Sequence, residues 1–327
     1  MASYQCVARN RSVVCFREGE PRQSVEVYLS DKKKHQTLKL DSHWAAVRES
    51  QLRSQPDSTI PEVVHEVMYA LRYHTGLGMR AEDAKEASIT WGHHFPRMWR
   101  GTYYVGDPFS DYSPVRPSRA HGDTYMRSIV AAESLFDEMR TAFKYAEPTI
   151  DNTSAYGHRF RELIILACTE VEACLRGILC ANTPTEQHKT NYKTKDYVRL
   201  LDPMQLSKWS VFLTDYPEFP AISPFKHWHA DNPTKSLPWY DAYNAVKHDR
   251  ENAFKRASIG SVIEAMAAVF VMQCAQWGPQ VYSLYGENRS SPFGVEEIPQ
   301  WKAGEFYTPA PGHPDDWKAE MCPLLPR

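Results

Sequence analysis

The side chains best suited to chemistry lie between residues 239 and 256, where apolar residues recur at helical spacing. Asn244 and His248 are four residues apart, and on an α-helix this spacing places two side chains on the same face. Lys247 and Arg250 add two positive charges beside them. An amide, an imidazole and two cations together favour a site that binds an anion, such as a phosphate group.

The rest of this segment would position the polar face. Tyr240 lies one turn before Asn244, and Glu251 lies about one turn after His248. The remaining stripe is apolar or aromatic and would face a core: Trp239, Ala242, Tyr243, Val246 and Ala253. A structural alternative is that Asn244, His248 and Arg250 tie this helix to its neighbour through buried hydrogen bonds.

Length and charge limit the functions that the chain can have. With 327 residues, of which 42% are hydrophobic, it can form one large domain or two ordinary ones. Its 38 basic and 40 acidic residues give a formal net charge of −2, so no overall field attracts a nucleic acid. Binding of RNA would therefore need a local cluster of cations.

The sequence favours a cytoplasmic protein with reduced thiols. Its first residues lack the basic start and apolar stretch of a signal peptide, and no run approaches the roughly 20 apolar residues of a membrane span. The seven cysteines are odd in number, widely spaced and form no C-x-x-C pair. This usage is typical of buried thiols in a reducing compartment.

Two pairs of histidines, His93-His94 and His227-x-His229, are the candidates for a metal site. Neither pair has a further ligand at a diagnostic interval. We therefore expect no metal and no other cofactor, and ordinary core or surface roles for these histidines.

Residues 1–116 have the pattern of a small α+β region. Two stretches of β-type sequence, at 12–16 and 24–29, predict a hairpin. A helix is expected to begin near Pro61. Residues 81–119 are interrupted by Pro, Gly and Trp, which indicates an irregular connection that ends the region.

Residues 117–280 predict a helical bundle. Apolar residues at spacings of three and four indicate helices at about 122–145, 157–180 and 257–277, besides the segment at 239–256. The first two are joined by a short loop and would pack antiparallel.

The C-terminal residues 281–327 are rich in proline and aromatic residues and would wrap the helical body. The predicted fold class is therefore mainly α: an antiparallel helical bundle, preceded by a smaller N-terminal α+β region and followed by a Pro-rich wrapping tail.

Two stretches carry enough local positive charge to contact phosphates. Lys189, Lys193 and Lys195 lie in the long connection before the segment at 239–256, and a basic run occupies residues 32–35. Clustered cations supply most of the affinity for a nucleic-acid backbone. A solvated loop is the alternative for both stretches, and the lysines at 189–195 are the better candidates for RNA contact.

The helical region resembles the HEPN superfamily, whose small bundles occur in prokaryotic toxins, phage-defence proteins and RNA-processing enzymes. The resemblance covers about residues 120–280, roughly half of the chain. It is carried by the pattern Trp239-Tyr-x-x-Tyr-Asn-x-x-Lys-His-x-Arg250, by Phe254, Ala257 and the Ala-rich last helix, and by the helix from Glu162 to Leu179 with its Glu172 and Leu175.

Ribonucleases of this family carry an arginine, usually followed by a polar residue, and a histidine four to six residues beyond the arginine. Here Asn244 takes the polar place and His248 the histidine place, whereas Tyr243 occupies the place of the arginine. The resemblance implies that two protomers form a shared cleft in which RNA is cut without a metal. The chemistry would be attack of the ribose 2′-OH on the adjacent phosphate.

Such a reaction needs a group that exchanges a proton near neutral pH and a cation that stabilises the charge of the transition state. The resemblance gives the first role to His248, with Asn244 orienting the imidazole or the phosphate. The second role would fall to Lys247 or Arg250. The predicted RNA contacts are Tyr240, Tyr243, Lys189, Lys193 and Lys195.

Two other functions stay open. The chain could be a non-catalytic module of the same fold that binds a nucleotide, an RNA or a protein, or it could be a dimerisation scaffold. In a ribonuclease the N-terminal region could act as a sensor or regulator and bind a regulatory protein partner, and in a scaffold it would carry out the recognition. The sequence has no Gly-rich phosphate loop with Lys-Ser/Thr, no Gly-x-Ser-x-Gly elbow and no His-Glu-x-x-His helix, so kinase, hydrolase and zinc-protease activities are not expected.

Overall fold

The computed structural model of the protein describes residues 3–7, 13–18, 24–29, 34–39, 64, 67–68, 83–100, 122–282, 291–302, 304–308, 317–323 and 325. The turn of the predicted hairpin and the predicted boundary near residue 117 lie outside these residues. The helix predicted from Pro61 is described at Val64, Val67 and Met68, which are helical and buried.

The chain divides into two compact units. The first comprises Met1–His94, Arg100–Pro114 and Gln300–Ala319, and the second comprises Phe95–Trp99, Val115–Pro299 and Glu320–Arg327. The C-terminal residues are therefore shared between the two units.

The first unit contains an antiparallel five-stranded sheet with the strand order β4-β3-β2-β1-β5. Its strands are β1 Ser3–Val7, β2 Val13–Glu18, β3 Ser24–Leu29, β4 Lys34–Lys39 and β5 Lys85–Glu86. The predicted hairpin is confirmed, because β2 pairs with β3 in a register that places Phe16 opposite Val27. Both of these side chains are buried.

The basic run at 32–35 is not a loop throughout, which corrects the prediction. Lys34 and His35 begin β4 and pair with Leu29 and Tyr28 of β3. Charged side chains are common on an edge strand, where they discourage pairing with other chains, so charge alone was a poor guide here.

Part of the C-terminal tail packs within the same unit. The Gln5 amide donates to the Thr308 hydroxyl at 2.7 Å and to the Phe306 carbonyl at 3.0 Å. A short parallel pair forms between β6 His93–His94 and β9 Lys318–Ala319. Because Phe306 and Tyr307 are buried, the aromatic residues of this stretch form part of a core.

The second unit is mainly helical, which confirms the predicted class. Its helices are α1 Gly122–Phe143, α2 His158–Ala181, α3 Thr194–Tyr197, α4 Pro238–His248, α5 Arg250–Ala253 and α6 Ile259–Trp277. A small antiparallel sheet is made by β7 Ser210–Leu213 and β8 Phe293–Glu297. The helical bundle discussed below consists of α1, α2, α4 and α6.

The start and end of α6 follow from its sequence. The Ser258 hydroxyl accepts a hydrogen bond from the Ser261 N–H at 3.2 Å, as an N-cap does. The helix ends at Gly278, whose φ of 106° is readily adopted only by glycine. A Cβ atom at Gly278 would also lie 3.2 Å from the ring of Trp99.

Ring contacts show that α1 and α6 run antiparallel. Tyr125, near the start of α1, lies 5.5 Å from Trp277 at the end of α6. Phe136, further along α1, lies 6.4 Å from Phe270, which is earlier in α6. The two helices therefore pack along their lengths and bury the apolar side of α1.

Hydrogen bonds show that α2 and α4 also run antiparallel. Arg161 near the start of α2 donates to the Val246 carbonyl near the end of α4 at 3.2 Å. Glu172 later in α2 accepts from Tyr240 near the start of α4. The two α2 residues in these contacts are about three helical turns apart, so they define the face of α2 that packs against α4.

Among the described residues, α6 is the helix that is long and apolar enough to cross a membrane, with a mean hydropathy of 1.5 over 18 residues. In the folded chain, 83% of that window is buried. It contacts α1, α2 and α4. Its composition is therefore explained by a central place in the bundle, which is compatible with a soluble protein.

The short segment Phe95–Trp99 belongs to the helical unit although it precedes α1. The Trp99 N–H donates to the Ala275 carbonyl at 2.9 Å. Arg97, held at a φ of 57°, donates twice to the Gln276 side chain, at 2.8 and 2.6 Å. This segment therefore satisfies polar groups of α6.

Candidate functional site

α4 carries most of the predicted catalytic residues, and its sequence explains its limits. Pro238 occupies the first turn, where its missing N–H is not needed. Asp241 lies in the first turn, whereas Lys247 and His248 lie in the last, as the helix dipole favours. The helix ends after His248 because Asp249 adopts φ −134° and ψ 71°, outside the helical region.

The prediction of one helix over 239–256 is therefore wrong in its second half. Asp249 caps the new short helix α5, since its side chain accepts a hydrogen bond from the Asn252 N–H at 3.3 Å. Glu251 lies beyond the break. The expectation that Glu251 shares a face with His248 by helical spacing is consequently wrong.

His248 is exposed at the last residue of α4. The structural alternative, in which this ring is sealed in the interior by hydrogen bonds, does not hold for it. Asn244 is half-buried, and its Nδ2 donates to the Tyr240 carbonyl of the same helix at 3.0 Å. The side chain of Arg250 lies outside the described part of the structure, so its role stays a prediction.

Lys247, which precedes His248, contacts an aromatic side chain of its own helix. Its Nζ donates to the Tyr243 hydroxyl at 2.8 Å and lies 4.9 Å from the centre of the Tyr243 ring. This hydrogen bond raises the pKa of Lys247 against the opposing effect of burial. The ammonium group is therefore charged at neutral pH and is hydrogen-bonded to the Tyr243 hydroxyl.

The phenol of Tyr240 binds a carboxylate from the neighbouring helix. Its hydroxyl donates to Glu172 at 2.5 Å, and burial together with this bond raises the pKa of Tyr240. Tyr240 and Tyr243 are 7% and 1% exposed, so both rings lie inside the bundle. Contact of these two residues with RNA stays a prediction.

Glu172 lies close to this group of residues, but it is not one of the predicted site residues. The sequence shows it as one of several acidic residues on α2, and helical spacing does not reveal which of them faces α4. In the structure Glu162 instead pairs with Arg159 at 3.0 Å on the surface, and Glu170 lies beside Cys174. Glu172 differs from these two because its partner, Tyr240, lies on α4.

Arg161 is the second residue that the sequence analysis did not select. It is half-buried near the start of α2, and its Nε donates to the Val246 carbonyl at 3.2 Å. Val246 precedes His248 by two residues. We refer to Asn244, Lys247, His248 and Arg161 as the His248 site.

The basic cluster at 189–195 is organised around one carboxylate. Asp196 is buried, forms an ion pair with Lys189, and accepts a hydrogen bond from the Lys193 backbone N–H at 2.9 Å. Lys193 and Lys195 are exposed. Because Lys189 is paired, Lys193 and Lys195 are the members of the cluster more available to a phosphate backbone, and RNA contact by all three stays a prediction.

Replacing Asp196 with alanine is expected to lower the free energy of unfolding at pH 7 by about 1–2 kcal/mol, because a buried cap is lost. Burial alone raises the pKa of Asp196, but its bonds from Lys189 and Lys193 and the charge of Lys195 outweigh this and lower it. A lowered folded-state pKa stabilises the fold above the unfolded-state pKa of about 3.9, and this contribution is lost as the pH falls through the folded-state pKa.

Urea unfolding at pH 7 and at several lower pH values tests this expectation. The difference between wild type and Asp196→Ala should shrink below about pH 4. Glu186→Ala, at an exposed acidic residue nearby, is the control and should behave as wild type. A difference that is independent of pH would contradict the role of the carboxylate.

Within the described ranges, no group of three or more His, Cys, Asp and Glu side chains is placed to hold a metal ion. His227 and His229 are exposed, and His94 is buried. A cavity of about 540 Å³ lies beside Phe270 of α6, Tyr282 and residues of β8. None of the predicted site residues lines it, so it is separate from the His248 site.

No protein-family model matches this chain, and no curated protein and no solved structure does either. The similarity to HEPN proteins therefore rests on the residues and helices described above.

Proposed function

We propose that this chain is a metal-independent ribonuclease that cleaves RNA by attack of a ribose 2′-OH on the adjacent phosphate. The observation that carries the proposal is the exposed ring of His248 in the last turn of α4, which directly follows Lys247, whose ammonium group donates to the Tyr243 hydroxyl. An imidazole and a cation are the two groups that this reaction needs most.

The chemistry assigns one step to each group. His248 accepts the proton of the 2′-OH as the 2′-oxygen attacks phosphorus. Lys247 stabilises the additional negative charge on the non-bridging oxygens. The bond from phosphorus to the 5′-oxygen breaks, and that oxygen takes a proton from solvent. The products are a 2′,3′-cyclic phosphate and a 5′-hydroxyl end.

The wider proposal places the chain in the HEPN superfamily, as a cytoplasmic ribonuclease of defence or toxin type. Two features support it: the antiparallel pairing of α2 with α4, and the α4 sequence from Trp239 to His248. Under this proposal the active form is a homodimer, and the sheet-containing first unit responds to a regulatory protein partner.

A non-catalytic module that binds RNA, a nucleotide or a protein is the second candidate. It is favoured by Tyr243, which occupies the place of the family arginine and is buried under Lys247. It is also favoured by Asn244, whose amide N–H is used within its own helix. Loss of one charge-stabilising donor commonly lowers a rate by about 100- to 1000-fold.

Incubation of the purified protein with single-stranded RNA in the presence of EDTA separates the two candidates. We expect cleavage to persist without divalent metal and to leave 2′,3′-cyclic phosphate ends. RNA with 2′-O-methyl groups should stay intact. His248→Ala, purified in parallel, controls for contaminating nuclease. Intact RNA with the wild type, or products with 3′-hydroxyl ends, would contradict the ribonuclease proposal.

A further inference from the structure

The break in the chain after α4 gives Arg161 its place. In a continuous helix the Val246 carbonyl would accept a hydrogen bond from the amide of residue 250. The chain instead leaves the helical path at Asp249, and the Val246 carbonyl accepts the Nε–H of Arg161. A guanidinium group from α2 thus lies against the last turn of α4, the turn that contains His248.

The bond to Val246 leaves most of the donors of Arg161 available. A guanidinium group carries five N–H donors, and Arg161 uses its Nε in this contact. Nearby arginines are engaged differently: Arg159 pairs with Glu138 and Glu162, and Arg256 pairs with Asp241. Within the described part of the chain, Arg161 has no carboxylate partner.

The surroundings of Arg161 also favour an anion. Arg161 is the fourth residue of α2, so it lies in the first turn, where the helix dipole is positive. That turn contains no acidic residue, and its N-cap is Gly157, which provides no side chain to the free N–H groups. Arg161 and Lys247 therefore bring two positive charges to the last turn of α4, and the first turn of α2 adds no acidic residue to neutralise them.

We propose that Arg161 binds the scissile phosphate of single-stranded RNA at the His248 site. Its two terminal amino groups bind the non-bridging oxygens in the forked geometry that suits a phosphate. The guanidinium that the α4 sequence lacks at Tyr243 is thereby supplied by α2. This inference rests on the proposed ribonuclease function, and Arg161 acts as a binding and catalytic residue within it.

Binding and cleavage are measured separately to test this. Fluorescence anisotropy with a 2′-O-methyl RNA oligonucleotide, which cannot react, gives the affinity at several salt concentrations. Arg161→Gln should weaken binding and reduce the slope of log affinity against log salt by about 0.7, the value for one phosphate contact on a single strand. Cleavage of unmodified RNA should fall about 100- to 1000-fold.

Arg159→Gln is the matched control. It removes one positive charge from a position two residues before Arg161, and the Arg159 side chain is already paired with two carboxylates. It should bind and cleave as wild type does. Thermal unfolding of both variants shows whether the loss of the Val246 contact has only weakened the fold. A merely structural role of Arg161 would lower the melting temperature and leave the salt slope unchanged.

Arg161→Lys is the second variant, because it keeps the charge and a donor for Val246. It should retain the salt slope of the wild type and still cleave at least 10-fold more slowly, since an ammonium group cannot form the forked contact. If Arg161→Gln and Arg161→Lys match the wild type in binding and cleavage, this inference is overturned while the ribonuclease proposal stands. A wild type that neither binds nor cleaves RNA overturns both.

Discussion

Replacing His248 with alanine is expected to lower the rate of RNA cleavage by about 10²- to 10⁴-fold, the usual contribution of a side chain that transfers a proton in the transition state. The ring is exposed at the end of α4, so no buried group loses a partner. The free energy of unfolding should therefore change by less than about 0.5 kcal/mol. The variant is therefore expected to lose activity and to keep the stability of the wild type.

Initial rates on a labelled oligonucleotide, together with thermal unfolding, measure this separation. His229→Ala is the control, because His229 is another exposed histidine in the same unit, and its rate should equal that of the wild type. In cells, expression of the wild type should slow growth and degrade RNA, whereas His248→Ala should do neither. Equal rates for His248→Ala and the wild type would remove the imidazole from the mechanism.

Replacing Phe136 with alanine is expected to lower the free energy of unfolding by about 3–5 kcal/mol, as large-to-small changes in a packed core do. Phe136 is 0% exposed. Its ring lies 5.8 Å from the rings of both Tyr282 and Phe293, and 6.4 Å from Phe270. The truncation would leave a void that this aromatic cluster cannot readily fill.

Urea unfolding followed by tryptophan fluorescence measures this effect. Val130→Ala on the same helix is the matched control, because Val130 is 53% exposed, and it should change the unfolding free energy by less than about 0.5 kcal/mol. A loss of less than 1 kcal/mol for Phe136→Ala would show that the cluster around α1, α6 and β8 is loosely packed.

Helices with a clear apolar stripe could be predicted closely from the sequence. The predicted ranges 122–145, 157–180 and 257–277 correspond to α1, α2 and α6 within two residues at each end. Periodicity succeeds here because each of these helices buries one continuous face or, for α6, nearly all of its surface. The hairpin of β2 and β3 was predictable for a similar reason, since alternation of side chains marks a strand with one buried face.

The polar part of the site was harder to predict, because its geometry depends on contacts between distant residues. An aspartate such as Asp249 marks the end of a helix less clearly than a proline does. Helical spacing therefore predicted one helix through residue 249, where the structure has a break between α4 and α5. Arg161 meets Val246 across 85 residues of sequence, and Tyr240 meets Glu172 across 68. Pairings of this kind are set by how helices pack, which periodicity alone does not specify.

The contacts of Phe95–Trp99 determine where the helical unit can be cut from the rest of the chain. A recombinant fragment that starts at residue 117, the domain boundary predicted from the sequence, lacks the segment Phe95–Trp99, which belongs to the helical unit. The side chain of Gln276, which is 0% exposed, then loses the guanidinium of Arg97, and Asn182 loses the Pro96 carbonyl that its amide binds at 2.8 Å. Cutting the chain at residue 117 therefore removes hydrogen-bond partners of two buried side chains, so an independent fragment of the helical unit has to begin upstream of residue 95.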